Sequence, residues 1–213
     1  MRSYTTLPEG YREIHALDMH EDKKLAVWVN LLSLAIAAVF AVPMLFVVPW
    51  WTTFDVADGM LGYWIKLAAM LGLTLLYLVL HELVHGIAMR ICGTKKIRYG
   101  FKGVYAFAAS DDYYRKKPYL FIALAPVVLW GIVLAIVTPF VPASWFWVVY
   151  FVQLMNLSGA AGDLYVTVRF SRMPRGILIR DSGVGILASI CRGSPFLWLC
   201  HRGGMFNGVP RLK

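Results

Sequence analysis

At 213 residues the chain is long enough for one ordinary domain, but 59% of it is hydrophobic, only 15% is charged and its mean hydropathy is +0.62, which excludes an ordinary soluble globule. The formal net charge of +9 leaves two partners to weigh, nucleic acid or anionic lipid beside cytoplasmic loops, and the placement of the charges decides between them. Three cysteines, Cys92, Cys191 and Cys200, form no CxxC pair, so free thiols in a reducing compartment are expected rather than a disulfide framework or a zinc ribbon.

Residues 1–24 are polar and mixed in charge, and the apolar run after them is longer than a signal-peptide core, so a cytoplasmic N-terminal segment and a retained first span are expected. Four apolar runs, at 25–48, 61–91, 119–141 and 145–168, reach the about 20 residues of helix that cross a hydrocarbon core of about 30 Å. They make up a membrane core over 25–168, followed by a cytoplasmic tail over 169–213. Pro43 and Pro126 fall inside the first and third runs, as kinks that neighbouring helices can accommodate. Pro126 has two readings, a bend that opens space for water or a bend without function. A short hairpin is expected where Ile97, Tyr99, Phe101, Tyr105 and Phe107 alternate with polar or small residues around Gly103. A second is expected at 177–186, with Asp181, Ser182 and Gly183 as its turn. The predicted class is an all-α polytopic membrane protein with four transmembrane helices and short β-hairpin elements in the cytoplasmic loop and tail.

Lysine and arginine set the orientation. Residues 1–24 hold four, residues 92–118 hold seven and the tail from Arg169 holds eight, whereas the connections 49–60 and 142–144 hold none. Both termini are therefore expected in the cytoplasm of a multi-pass cell-membrane protein. Trp50, Trp51, Tyr63, Trp64, Trp145 and Trp147 gather at the other ends of the runs, as an outer aromatic belt. The basic residues thus track topology without any nucleic-acid module, and the lipid bilayer is the expected partner.

The second run contains His81-Glu82-Leu83-Val84-His85-Gly86, an HExxH pattern. Histidines four apart are offset by only about 40° on an α-helix, so both imidazoles can reach one metal ion, and Glu82 can serve as general base toward a water that zinc activates. Placing these groups in an apolar span costs several kcal/mol, because a central charge alone costs about 2.5–3.5 kcal/mol, so they need partners. A structural hydrogen-bond cluster between helices is the competing reading. A hydrolytic zinc takes three protein ligands and an open position. Asp163, in the fourth run, fits by depth: it precedes Arg169 by six residues as His85 precedes Arg90 by five, about 8–9 Å from the inner boundary. Its alternative is an ion pair with Arg169. Asn156, seven residues before Asp163, either donates to a substrate carbonyl or joins helices.

His81 to Gly86 and the Asn156 to Asp163 segment resemble the site-2 protease group of intramembrane zinc peptidases, and within it a small uncharacterised bacterial family of zincin peptidases. Leu7-Pro8-Glu9-Gly10-Tyr11 and the spans as far as Ile186 take part in the likeness. It implies one zinc per chain, cleavage of a substrate's membrane segment, and a third ligand on a later helix bearing an Asn and an Asp, which here are Asn156 and Asp163. The chain departs from the site-2 pattern in reading Gly162-Asp163-Leu164, without prolines between Asn156 and Asp163 and with a shorter spacing.

The expected function is a membrane-embedded zinc metallopeptidase that hydrolyses a membrane or membrane-proximal protein or peptide, with Glu82 as base, His81, His85 and Asp163 as ligands and Asn156 binding substrate. The alternative is an inactive metal-binding membrane adaptor that holds a partner protein. A homodimer stays open. A transporter is disfavoured by the lack of an inverted repeat, and a di-iron oxygenase by too few ligands, His15, His20 and His201 being the only other histidines.

Overall fold

The computed structural model describes residues 3–17, 22–55, 59–102, 105–183 and 185–191. His20, Cys200, His201, the Gly103 turn and the tail beyond Gly193 lie outside them. In chain order the elements are β1 (Tyr11–Leu17), α1 (Lys23–Val47), α2 (Gly59–Ile91), β2 (Arg98–Lys102), β3 (Tyr105–Ala109), β4 (Tyr113–Arg115), α3 (Lys116–Val137), α4 (Phe146–Gly159), α5 (Ala161–Ser171), β5 (Leu178–Asp181) and β6 (Ile186–Cys191).

Three helices are long and apolar enough to cross a membrane: Lys23–Val47, Gly59–Ile91 and Lys116–Phe140, the last ending in a 3-10 turn. Continuous apolar sequence dictates them, and their bounds follow the first three runs closely. The fourth expected span is not one helix. It divides at Ala160 into the 14 residues of α4 and the 11 of α5, and 14 residues rise only about 21 Å. Local chemistry accounts for the division: Gly159 and Gly162 flank the break, each about 1 kcal/mol worse than alanine in a helix, and Ser158 Oγ donates back to Leu154 O at 2.7 Å, a bond that bends helices.

The chain forms two compact units, one of Met1–Ala26, His85–Ala123 and Val166–Lys213, the other of Val27–Val84 and Leu124–Tyr165. α2, α3 and α5 each run through the boundary as continuous helices.

The second unit contains most of the apolar helix. Phe146, Trp147 and Tyr150 form a buried cluster with Met44, Val48, Phe54 and Leu154 against it. Trp147 is only 8% exposed and donates its Nε1–H to Val48 O at 2.9 Å, so it belongs to this cluster and not to the expected outer belt. Trp50, Trp51 and Trp64 are exposed, as a belt requires. Thr53 bridges the cluster, donating to Ala143 O at 3.0 Å and accepting from Trp147 N at 3.2 Å.

The first unit is built on an antiparallel sheet in the order β1-β6-β5-β4, with β2 and β3 as a separate hairpin. The hairpin expected around Gly103 is β2–β3, with Tyr99 opposite Ala108, and the hairpin expected at 177–186 is β5–β6, with Asp181 opposite Ile186. Asp181 Oδ1 accepts from Gly183 N at 3.0 Å, closing the turn, and Gly183 sits at a φ of 77° against Phe107. Ile177, Ile179 and Ile190 are fully buried here, and Tyr119 packs edge-on to Phe170. α2 ends at Ile91 and is closed by Gly93, whose φ of 101° lets Thr94 N reach Met89 O at 3.1 Å and Gly93 N reach Arg90 O at 2.9 Å, a Schellman ending.

Candidate metal centre

The site grows from one stripe of α2. Tyr77, His81 and His85 recur every four residues, which stacks their side chains along one face, and all three are buried at 5%, 8% and 9% exposure. Two histidines buried in an apolar helix need hydrogen-bond partners for both ring nitrogens. The structure gives Nδ1 of each ring a hydrogen-bond partner.

Partner chemistry fixes where the protons lie. Val127 O can only accept, so the Asn156 atom 3.2 Å from it is the donating Nδ2. Asn156 Oδ1 therefore faces Tyr77, whose hydroxyl donates to it at 3.0 Å. With its single proton engaged there, the Tyr77 oxygen accepts from His81 Nδ1–H at 2.8 Å. His85 Nδ1 lies 2.9 Å from the carbonyl oxygen of Ile122, again an acceptor only, so it too carries a proton. Nδ1 of each ring is thus the nitrogen that carries a proton, which makes Nε2 the one for ligation, as coordination through Nε2 requires.

An Nε2 without its proton is a lone-pair donor suited to a cation. His81 Nε2 lies 3.4 Å from Asp163 Oδ2. Two ligands each about 2.1 Å from a tetrahedral zinc are about 3.4 Å apart, so this separation equals one edge of such a site. One ligand atom from each of His81, His85 and Asp163 falls within 4.8 Å of the others. Two neutral imidazoles and a carboxylate make up a donor set that zinc accepts, and the residues present fit that ion. Asp163 is the third residue of α5, so the break at Ala160 brings the carboxylate to a helix N-terminus, where the helix dipole favours negative charge.

Glu82 is partly buried and lies about 100° around α2 from His81 and about 60° from His85, on the flank of the same stripe. Asn156, at 0% exposure, has both ends of its amide engaged, with Tyr77 and with Val127 O. Tyr77 and the Ile122 carbonyl were not singled out from the sequence. Tyr77 has a readable signal, its position four residues before His81. The carbonyl has none by itself, being backbone.

Gly86, the residue after His85, is buried beneath the β2–β3 hairpin, and a Cβ there would overlap the Tyr99 hydroxyl. The hairpin thus crosses α2 one residue beyond the second histidine. Arg98 beside it holds Asp111 through two bonds, at 2.7 and 3.0 Å.

The chain matches no curated protein and no solved structure. Residues 74–178, a stretch that takes in His81, Glu82, His85, Asn156 and Asp163 together, match the model of the family described as putative zincin peptidase.

Proposed function

We propose that the protein is a membrane-embedded zinc metallopeptidase, with four passes, both termini in the cytoplasm, and a membrane or membrane-proximal protein as substrate. The observation that carries this reading is the grouping of two motif histidines, whose Nδ1 atoms face the Tyr77 hydroxyl and the Ile122 carbonyl, with Asp163 Oδ2 at 3.4 Å from His81 Nε2. Membrane placement is supported by α1, α2 and α3, whose exposed side chains include Trp28, Leu34, Phe46, Leu61, Leu71 and Ile136, far more apolar surface than a soluble chain presents to water.

His81, His85 and Asp163 would hold the ion. A zinc ion there supplies a Lewis acid that polarises a carbonyl and lowers the pKa of water. Glu82 takes the proton from the attacking water and passes it to the leaving amine. Tyr77 and Asn156 keep His81 oriented, the work of outer-shell partners. An extended substrate adds as a strand to an edge of the β2–β3 hairpin, which Tyr99 anchors over Gly86 next to His85.

The test is cleavage of quenched fluorescent single-span peptides in proteoliposomes by the unmutated protein and by Glu82→Gln. The reading expects about 100-fold or greater loss with zinc retained. Cleavage undiminished in Glu82→Gln would overturn Glu82's role and the peptidase mechanism with it.

A further inference from the structure

α3 runs without interruption from Lys116 to Val137, and Pro126 lies inside it, fully buried. A proline within a helix has no N–H for the carbonyl four residues earlier, and its ring pushes that carbonyl away from the helix axis. The carbonyl so freed belongs to Ile122. It is the oxygen to which His85 Nδ1 donates at 2.9 Å. Ile122 is 2% exposed, so water is no ready substitute, and in an apolar surround a freed carbonyl needs a protein donor.

We infer that Pro126 is a positioning residue of the metal centre: by depriving the Ile122 carbonyl of its intrahelical donor and tilting it outward, it holds His85 with its proton on Nδ1, so that Nε2 is the nitrogen for ligation in the group with His81 and Asp163. The two motif histidines are thus oriented by different means. His81 relies on the side chains of Tyr77 and Asn156, and His85 on a backbone oxygen that an imino acid four residues on leaves without its intrahelical donor. An alanine at 126 would restore an N–H for Ile122 O and turn the carbonyl back along the axis. The imidazole would lose its aligned acceptor. The consequence for metal binding rests on the peptidase reading, whereas the tautomer of His85 does not.

The experiment uses full-length protein in detergent micelles, labelled with 15N at histidine, with the His85 signal assigned by its loss in His85→Gln. Zinc affinity is measured in parallel by competition with a chelator, and Pro43→Ala, in α1, serves as the control proline. The expected result is Nδ1–H on His85 in the metal-free unmutated protein. In Pro126→Ala an Nε2–H population appears and zinc affinity falls about tenfold, while Pro43→Ala changes neither. A proline that only bent α3 would leave the tautomer as it was. The inference is overturned if His85 in the unmutated metal-free protein carries its proton on Nε2, or if Pro126→Ala keeps both the Nδ1–H tautomer and the zinc affinity. Should Pro126→Ala fail to fold, the tautomer in the unmutated protein decides alone. Absence of zinc binding by the unmutated protein would instead sink the peptidase reading and leave the tautomer result standing.

Discussion

Replacing Tyr77 with phenylalanine removes one oxygen atom and keeps the ring that packs edge-on to Trp130 at 6.4 Å and to His81 at 5.6 Å. Two buried groups lose their partner together: His81 Nδ1–H loses its acceptor and Asn156 Oδ1 its donor. In a soluble core each orphaned group costs about 1–3 kcal/mol, but hydrogen bonds between membrane helices average only about 0.6 kcal/mol. A total loss of about 1–2 kcal/mol in the metal-free protein follows. The larger effect falls on the metal. Loss of an outer-shell partner to a ligating histidine costs about 10–100-fold in affinity, which is about 1.4–2.7 kcal/mol. Zinc affinity of Tyr77→Phe by chelator competition tests this. Tyr77→Phe and Asn156→Leu should also combine with less than additive effect, because they break one chain of hydrogen bonds. A zinc affinity for Tyr77→Phe within about twofold of the unmutated protein would refute the claim that this chain orients His81.

Gly86→Ala should destabilise the protein by about 1–3 kcal/mol and loosen the β2–β3 hairpin, because the new methyl group meets the Tyr99 hydroxyl. Thermal unfolding and limited proteolysis read this, and Gly86→Ala combined with Tyr99→Ala should regain most of the loss. Cys92 is buried at 0% exposure, and burial pushes its thiol above the ordinary range, so at pH 8 it should react with maleimide far more slowly than the exposed Cys191, in single-cysteine variants. Since the folded value is raised, the stability that Cys92 contributes is present below the unfolded thiol's pKa and is lost as pH rises through the folded one. Equal labelling rates in the folded protein would contradict its burial.

The features legible in the sequence are those set by local rules. Continuous apolar runs delimit α1, α2 and α3 because helix is the structure that satisfies its own backbone in lipid, and HExxH is read from the periodicity of one helix. The β5–β6 hairpin is legible through its Asp181-Ser182-Gly183 turn. What was not legible depends on pairing across the chain. β1 lies beside β6 with Tyr11 opposite Cys191, and no local signal links residues so far apart. The division of the fourth run was obscured because α4 and α5 are joined by small apolar residues that hydropathy counts as span. Trp147 reads as a belt residue because its position at a helix end is visible in sequence, whereas its bond to Val48 O is not. At the candidate site the grouping of His81, His85 and Asp163 is legible in the sequence as residue types, and the orientation of the rings is not. The acceptors for His81 and His85 lie on Tyr77 and on the backbone of α3, and only the fold brings the latter to the second histidine.

The most direct test of the central claim is the zinc content of the detergent-purified full-length protein after zinc loading and desalting, alongside His85→Ala and Asp163→Ala. The account predicts about one zinc per chain in the unmutated protein and loss of most of it in both variants, since a hydrolytic zinc needs its three protein ligands. No zinc in the unmutated protein, or undiminished zinc in Asp163→Ala, would contradict it.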